Sequence, residues 1–298
     1  MHKNNIHKSD YNFESLCKVH PELKDFVFEN KHQSLSVDFA NPKAVKTLNR
    51  ALLQTYYNIK FWEFPEENLC PPIPGRVDYI HYLADLLELS GIDKNVSVID
   101  IGTGASCIYP LLGHAVYDWS FIATDIDKTS LEYAQQIVDK NNFNKSIELK
   151  HQPDASQILN RILNAGEHIS ACMCNPPFYK SKDEAQDVTA RKLKGLGNST
   201  NKGTRNFSGT ANELWYTGGE KAFLHNYLYE SSLFKSQCYW YTTLVSKKEN
   251  VKSMLSSLNK LGATAIKTIP MNQGQKISRI IAWTFLTEDE QKQWRDKF

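Results

Sequence analysis

The sequence lacks long apolar runs and a strong charge of one sign. No stretch approaches the ~20 consecutive apolar residues that a membrane-spanning helix requires. His2, Lys3 and Asp10 interrupt the start of the chain, so no secretory signal is expected there. The 35 basic and 33 acidic residues leave a net charge of +2, which does not by itself indicate nucleic-acid binding.

Cysteine is scarce and scattered. The six residues are Cys17, Cys70, Cys107, Cys172, Cys174 and Cys238. Their spacing predicts neither a disulfide framework nor a zinc site, and we expect no metal. Free thiols without a secretory signal favour a reducing compartment, so the expected location is the cytoplasm.

Residues 1–90 are expected to form a mainly helical extension. The pattern predicts short helices over 11–19 and 21–28, and a longer helix opened by Asn41 as the N-cap and Pro42 in the first turn. Residues 69–76, which contain three prolines, are expected to be extended, with a helix over 77–89. The helix after Pro42 carries a basic stripe of Lys43, Lys46 and Arg50, which we interpret as a candidate RNA contact or a solvated face.

Residues 91–298 alternate between strand and helix patterns. Strands are predicted at 97–101, 121–124, 146–150, 169–174, 238–245, 263–269 and 278–286, and helices at 107–116, 130–141, 156–164, 220–234 and 250–261. Such alternation indicates an α/β fold with a parallel sheet covered by helices. The connection between the last two strands, at 270–275, is too short for a helical crossover, so these strands should pair antiparallel. This is the arrangement of class I (Rossmann-like) methyltransferases.

A glycine turn follows the first of these strands. Gly102 and Gly104 would let the backbone approach a ligand, but Cys107 stands where a dinucleotide fingerprint needs a third glycine. The turn therefore fits S-adenosylmethionine better than a pyrophosphate. Asp100 is a candidate acceptor for the ammonium of that cofactor or for loop amides. Ser106 is a candidate contact for its carboxylate.

Acidic residues follow the next two strands. Asp125 is placed to accept hydrogen bonds from ribose hydroxyls with both oxygens. Asp154 and Ser156 follow the third strand and are candidates for the adenine edge. In open sheets, ligands lie beyond the carboxyl ends of the strands, where these residues are expected.

The fourth strand ends in Asn175, Pro176, Pro177 and Phe178. Both prolines fix their φ angles and restrict the preceding residue, so the chain leaves the sheet extended with unpaired carbonyls. The Asn175 amide oxygen and the Pro176 carbonyl could accept the two hydrogens of an exocyclic NH2, and Phe178 could stack on the ring. Asn175 also adjoins the expected cofactor. The alternative is that these residues only make a turn.

A long basic insertion, at about 179–217, follows this turn. Its basic residues are Lys180, Lys182, Arg191, Lys192, Lys194, Lys202 and Arg205. Because it emerges beside the expected site, its charge is predicted to attract RNA phosphates. A solvated loop without a partner is the alternative.

The chain resembles the bacterial large-subunit ribosomal RNA adenine-N6 methyltransferase family (RlmF), relatives of the eukaryotic U6 small nuclear RNA adenine methyltransferase. The resemblance covers nearly the whole chain. It is carried by SVDFANP at 36–42, LCPPIPGR at 69–76, IGTGA at 101–105, CIYPL at 107–111, CNPPF at 174–178, ELW at 213–215, GGE at 218–220, LVS at 244–246 and QGQ at 273–275.

This resemblance implies methylation of one adenine in 23S rRNA with S-adenosylmethionine as cofactor. It also implies that Arg76 reaches the cofactor and that the N-terminal helices help to bind RNA. The family can carry glutamate where this chain has Asp125. The expected partner is 23S rRNA or a large-subunit assembly intermediate, acted on by a monomer. Two alternatives remain: a protein glutamine N5 methyltransferase, and a non-catalytic RNA-binding protein on the same fold.

Overall fold

The N-terminal part contains helices and one small hairpin. The computed structural model describes residues 1–164, 166–177, 179–181, 184, 215–273 and 276–297. Its first elements are α1 (Phe13–Val19), β1 (Val27–Glu29), β2 (Leu35–Val37), α2 (Pro42–Tyr57) and α3 (Ile73–Glu88). Single 3-10 turns cover Ile6–Lys8 and Pro21–Phe26. The β1–β2 hairpin is antiparallel and was not predicted, and it replaces the end of the helix expected over 21–28.

Strands and helices alternate through the rest of the chain. The strands are β3 (Ser97–Ile101), β4 (Ser120–Asp125), β5 (Ile147–His151), β6 (Ile169–Cys174), β7 (Cys238–Val245), β8 (Ala265–Gln273) and β9 (Lys276–Thr284). The helices are α4 (Ile108–Tyr117), α5 (Lys128–Lys140), α6 (Gly219–Ser231), α7 (Lys248–Leu261) and α8 (Glu288–Lys297).

One seven-stranded sheet has the order β5-β4-β3-β6-β7-β9-β8. Strands β3 to β7 run parallel, and β9 is antiparallel to both of its neighbours. The predicted mostly parallel seven-stranded sheet with a reversed last strand is therefore confirmed.

The sheet separates two apolar cores because successive strand residues face opposite sides. Val98 and Ala171 face one core, which α3 and α4 cover. Ile99 and Cys172 face the other core, which contains residues of α6 and α7. A smaller cluster joins α1, the β1–β2 hairpin and the first turns of α2. No helix in the described ranges is long and apolar enough to cross a membrane.

The helix predicted to start at residue 77 begins four residues earlier, at Ile73. Pro72 is its N-cap and Pro74 lies in its first turn, where a missing backbone N–H costs nothing. Residues 73–76 were therefore wrongly expected to be extended. The start of α2 is as predicted, since the Asn41 side chain accepts hydrogen bonds from the N–H groups of Lys43 and Ala44.

The helix predicted over 156–164 is absent, and turns occupy these residues. A buried carboxylate from another element holds these turns. Glu230 of α6 accepts hydrogen bonds from the N–H groups of Ile158, Leu159 and Asn160 at 2.8–3.1 Å. Successive N–H groups of a turn can converge on one anionic side chain in this way.

Candidate active site

The carboxyl ends of β3, β4 and β6 meet beside one open cavity. Strand β3 lies between β4 and β6. From β3 the chain adds β4 and β5 on one side of the sheet and then crosses over to add β6 and β7 on the other side, so the strand order reverses at β3. Such a reversal point is where open α/β sheets bind ligands. Predicted site residues that line the cavity are Arg76, Gly102, Gly104, Ser106, Asp125, Asn175 and Pro177.

The glycine turn presents bare backbone to this cavity. Gly102 and Gly104 have φ angles of +76° and +62°, which glycine adopts without strain. A Cβ atom built on Gly102 would meet no heavy atom within 4 Å, so the space beside it is open. Cys107, at the position where a third glycine was missing, also has a positive φ of 49° and caps α4.

Asp125 holds the turn in place from the end of β4. One of its carboxylate oxygens accepts the Gly104 N–H at 2.9 Å, and the other accepts the Asp127 N–H at 2.9 Å. Each carboxylate oxygen has a second lone pair, and Asp125 lines the cavity. The carboxylate is therefore fixed in orientation while it keeps capacity to bind hydroxyl groups.

Asp100 lies on β3, two residues before Gly102, and is fully buried. Neither of its oxygens makes a hydrogen bond of normal geometry to a described residue. Burial raises the pKa of the Asp100 carboxyl to about 7; the Thr103 hydroxyl and the Arg76 cation offset this only partly, while the Asp125 carboxylate adds to it. Asp100 itself is not part of the cavity lining.

Arg76 reaches the cavity from the first turns of α3. Its guanidinium donates to the Tyr109 hydroxyl at 3.0 Å and lies 5.4 Å from the centre of that ring. Trp62, from the segment after α2, donates its indole N–H to the Ser106 carbonyl at 2.8 Å. These contacts fix the glycine turn from the N-terminal side, and sequence analysis missed the roles of Trp62 and Tyr109.

Asp154 and Ser156 interact with each other instead of lining the cavity. The Asp154 carboxylate accepts the Ser156 N–H at 2.9 Å and its hydroxyl at 2.6 Å, and these bonds lower the pKa of Asp154. Their neighbours Ala155 and Gln157 line the cavity in their place. Gln152 and Ile158 also line it, so the loop after β5 does reach this site.

The turn after β6 brings Asn175 and Pro177 to the cavity, while Pro176 is buried. The Asn175 carboxamide makes no hydrogen bond to any described residue. Its polar atoms therefore remain available to a bound ring. Phe178 lies outside the described residues.

Both ends of the basic insertion lie at this turn. Tyr179 forms a bridge with Trp215, and the Tyr216 N–H donates to the Tyr179 carbonyl at 3.0 Å. Trp215, Tyr216 and Phe223 line the cavity. The Trp215 indole N–H is buried and has no partner in the described ranges. Trp215 belonged to the family-like stretches, but no role was predicted for it.

The basic stripe of α2 binds its own chain. Arg50 pairs with Glu63, and Lys46 pairs with the same carboxylate at 3.8 Å and also donates to a backbone carbonyl. Only about a fifth or less of either basic side chain is exposed. Lys43 is exposed and pairs with Glu66 at 3.9 Å. Lys46 and Arg50 thus hold α2 against the following segment and do not form the free cationic face that was expected.

The insertion itself is described only in part. Lys180 is exposed, and its backbone N–H donates to Glu184 at 2.7 Å. The remaining predicted RNA contacts, Lys182, Arg191, Lys192, Lys194, Lys202 and Arg205, lie outside the described residues.

A protein-family model described as RNA methyltransferase matches residues 1–287. The chain belongs to this family. Among curated members, the ribosomal RNA large subunit methyltransferase F of Flavobacterium johnsoniae is 49% identical over 304 residues, which is 99% of this chain and 96% of the relative. The protein of the same name from Christiangramia forsetii is 49% identical over 287 residues, covering 96% and 100% of the two chains.

Solved structures share the fold of this chain. The hMettl16 catalytic domain in complex with MAT2A 3'UTR hairpin 1 has a TM-score of 0.82 and 30% identity, covering 97% of this chain and 96% of its own. The N-terminal domain of human METTL16 in complex with SAH has a TM-score of 0.77 and 28% identity, covering 96% and 99%. The predicted family and the methyltransferase fold are confirmed.

Proposed function

We propose that this RNA methyltransferase transfers a methyl group from S-adenosylmethionine to the exocyclic N6 amine of one adenine in 23S ribosomal RNA. One observation carries the proposal: Asn175 and Pro177 share a single cavity with Gly102, Gly104 and Asp125. A carboxamide suited to an exocyclic amine thus lies beside a turn suited to a nucleoside cofactor. The curated relatives, named ribosomal RNA large subunit methyltransferase F, support the RNA substrate.

The residues around the glycine turn fit S-adenosylmethionine. Asp100 is a buried carboxylate without a donor, and a cofactor ammonium would supply one. Asp125 would bind the ribose hydroxyls, and Arg76 and Ser106 the amino-acid end of the cofactor. Gly102 and Gly104 let the backbone approach it. Asp154 and Ser156 would act near the adenine edge by shaping the turn that holds Ala155 and Gln157.

The turn after β6 would hold and activate the target base. Its exocyclic nitrogen is a weak nucleophile because the lone pair is delocalised into the ring. Hydrogen bonds from this amine to the Asn175 amide oxygen and the Pro176 carbonyl favour a pyramidal nitrogen with a localised lone pair. Pro177 keeps the turn rigid, and Phe178 would stack on the base. Positioning of this kind supplies roughly 7–11 kcal/mol of a barrier.

No strong general base is needed at this site. S-adenosylmethionine, when bound, supplies a methyl group made electrophilic by a positively charged sulfur. In the transfer, the sulfur–methyl bond would break as the N–C bond forms and sulfur would leave as a neutral thioether; the nitrogen would become cationic and its proton acidic. The proton can then leave to solvent.

We further propose that RNA reaches the site across the basic insertion and the extension of residues 1–90, with residues 91–298 forming the methyltransferase domain. Lys43 and Lys180 are exposed basic residues on these two parts. The substrate would be 23S rRNA or an assembling large subunit, and the enzyme a monomer. All six cysteines are free and buried, which supports a cytoplasmic location.

The decisive variant is Asn175→Ala. We expect methyl transfer to 23S rRNA to fall to background while the affinity for S-adenosylmethionine, measured by calorimetry, changes little. The assay follows labelled methyl groups into an RNase-sensitive product. Asn259→Ala, at an exposed position of α7, is the control and should behave like wild type. Wild-type turnover by Asn175→Ala would contradict the mechanism, and label in protein instead of RNA would contradict the substrate.

A further inference from the structure

The backbone of β6 is held differently on its two sides near Asn175. On the β3 side, strand pairing continues to Cys174, which lies opposite Ile101. On the β7 side, pairing ends at Cys172, which lies opposite Tyr241. The last two residues of β6, just before Asn175, are therefore not paired with β7.

Three buried hydroxyl groups lie at this gap, and two of them are linked to each other. The third, of Thr243, lies 3.5 Å from the Cys174 carbonyl but makes a shorter contact of 3.1 Å with the Leu244 carbonyl. The Thr242 hydroxyl donates to the Cys172 carbonyl at 2.9 Å. Because a hydroxyl has one proton, the Tyr79 hydroxyl must be the donor in its 2.8 Å bond to Thr242. The Tyr79 oxygen in turn accepts the Cys174 N–H at 3.4 Å. We call this connection, from Cys174 N–H through Tyr79 and Thr242 to the Cys172 carbonyl, the hydroxyl chain.

The hydroxyl chain is buried. Tyr79 and Thr242 are fully buried, and Cys172 and Cys174 are buried with them. Because an unpaired polar group is costly in a buried environment, each bond favours one arrangement of the backbone. Burial raises the pKa of Tyr79 well above its usual value, which keeps the hydroxyl protonated as the directional chain requires.

Tyr79 also links the two halves of the site. It lies three residues after Arg76 on α3, so both side chains project from one face of the helix. The Tyr79 ring packs edge-to-face on Tyr109 with centroids 5.6 Å apart, and the Tyr109 hydroxyl accepts the bond from Arg76. One helix thus presents a group to the cofactor cavity and supports the strand end that carries Asn175.

We propose that Tyr79 and Thr242 are positioning residues, which fix the end of β6 so that the Asn175 carboxamide faces the cavity in its productive orientation. This inference rests on the role of Asn175 in the proposed function. Tyr79 and Thr242 touch neither substrate nor cofactor in this scheme. They act through the backbone groups on either side of Met173.

Removing the hydroxyls should separate catalysis from cofactor binding. For Tyr79→Phe and Thr242→Val we expect kcat on 23S rRNA to fall about 10–100-fold, the range expected for small misplacements of a reacting group. The dissociation constant of S-adenosylmethionine should stay within about twofold. Thr242→Ser keeps the hydroxyl and should restore most of the turnover that Thr242→Val loses. Tyr241→Phe, which removes another buried hydroxyl that bonds to Phe234, is the matched control.

A second measurement does not depend on turnover. Amide hydrogen exchange of a peptide containing Cys174 and Asn175 should accelerate at least about tenfold in Tyr79→Phe and Thr242→Val, because the Cys174 N–H loses its ordered acceptor. Thr242→Ser and Tyr241→Phe should leave that exchange near the wild-type rate.

The outcomes distinguish this inference from the proposed function. Wild-type kcat in Thr242→Val, equal losses in Thr242→Val and Thr242→Ser, or unchanged exchange at Cys174 would each overturn the positioning role. An active Asn175→Ala variant would overturn the proposed mechanism instead, while the exchange result would still test whether the hydroxyl chain orders the strand end. If Tyr79→Phe does not fold, the Thr242 pair decides the question.

Discussion

Asp100 places a carboxyl group in the interior, where neither of its oxygens makes a hydrogen bond of normal geometry to a described residue. Burial raises its pKa from 3.8 to about 7. Between these two values the folded protein holds a proton that the unfolded chain releases. The Asp100 contribution to the free energy of unfolding therefore falls as pH rises from 3.8 towards 7 and is constant above that pH.

Asp100→Asn should remove this pH dependence. Without cofactor, we expect the wild type to lose about 2–3 kcal/mol more unfolding free energy than the variant between pH 5 and pH 8. Urea unfolding at both pH values measures the difference. Asp93→Asn, at an exposed position, is the control. Parallel pH profiles for wild type and Asp100→Asn would contradict the buried, proton-binding carboxyl.

At the scale of elements, one carboxylate organises the loop after β5. Glu230 is buried on α6 and holds three consecutive N–H groups of the turn that lines the cavity at Ile158. Hydrogen bonds to a charged group contribute ~1.5–3 kcal/mol each, although bonds that share one acceptor are not additive. The loop thus depends on a residue about 70 positions away in the sequence.

Glu230→Gln should therefore loosen this loop. The amide oxygen can replace only one of the two carboxylate oxygens, so the NH2 group would stand opposite the Ile158 N–H and the remaining bonds would lose their negatively charged acceptor. We expect a loss of about 1–3 kcal/mol in unfolding free energy. Amide exchange should become faster over 155–163 and stay unchanged in β3. Denaturant unfolding and exchange mass spectrometry give the two measurements. Glu132→Gln, on the exposed face of α5, should have neither effect, and a stable, protected loop in Glu230→Gln would show that Glu230 is not its anchor.

The local sequence pattern was enough to predict several strands of the sheet. The strands β3, β6 and β7 were predicted with their observed bounds because buried apolar runs between turn residues identify them. The remaining differences have two causes. The turns over 156–164 are held by Glu230, which is distant in the sequence. The prolines at the start of α3 suit either extended chain or a first helical turn, so the local pattern did not decide between them. Tyr79 and Thr242 read as ordinary core residues, since nothing local shows that their hydroxyls meet.

At the scale of the whole molecule, some basic residues form ion pairs within the chain and are therefore less available to RNA. Lys46 and Arg50 bind Glu63, so α2 offers less positive charge than its sequence indicates. Electrostatic attraction of RNA would then depend more on the basic insertion. Its Arg191, Lys192 and Lys194 lie outside the described residues, and their proposed contact with phosphates remains a prediction.

Replacing Arg191, Lys192 and Lys194 together by glutamine should weaken binding to a 23S rRNA transcript and flatten its salt dependence. Three lost phosphate contacts to single-stranded RNA would reduce the slope of log K against log salt by about 2. The control triple variant changes Lys94, Lys145 and Lys260, which are exposed and precede β3, β5 and β8, at the strand ends away from the cavity. An unchanged slope in the insertion variant would remove these residues from the RNA-binding surface.

The bridge between Tyr179 and Trp215 makes the chain leave and rejoin the catalytic domain at nearly one point. A segment attached in this way can lengthen, shorten or change its charge without altering the spacing of β6 and α6. Homologues could therefore differ in the insertion while the end of β6 stays the same. With the proposed RNA contacts on the insertion, this attachment would separate the choice of target from the reaction itself.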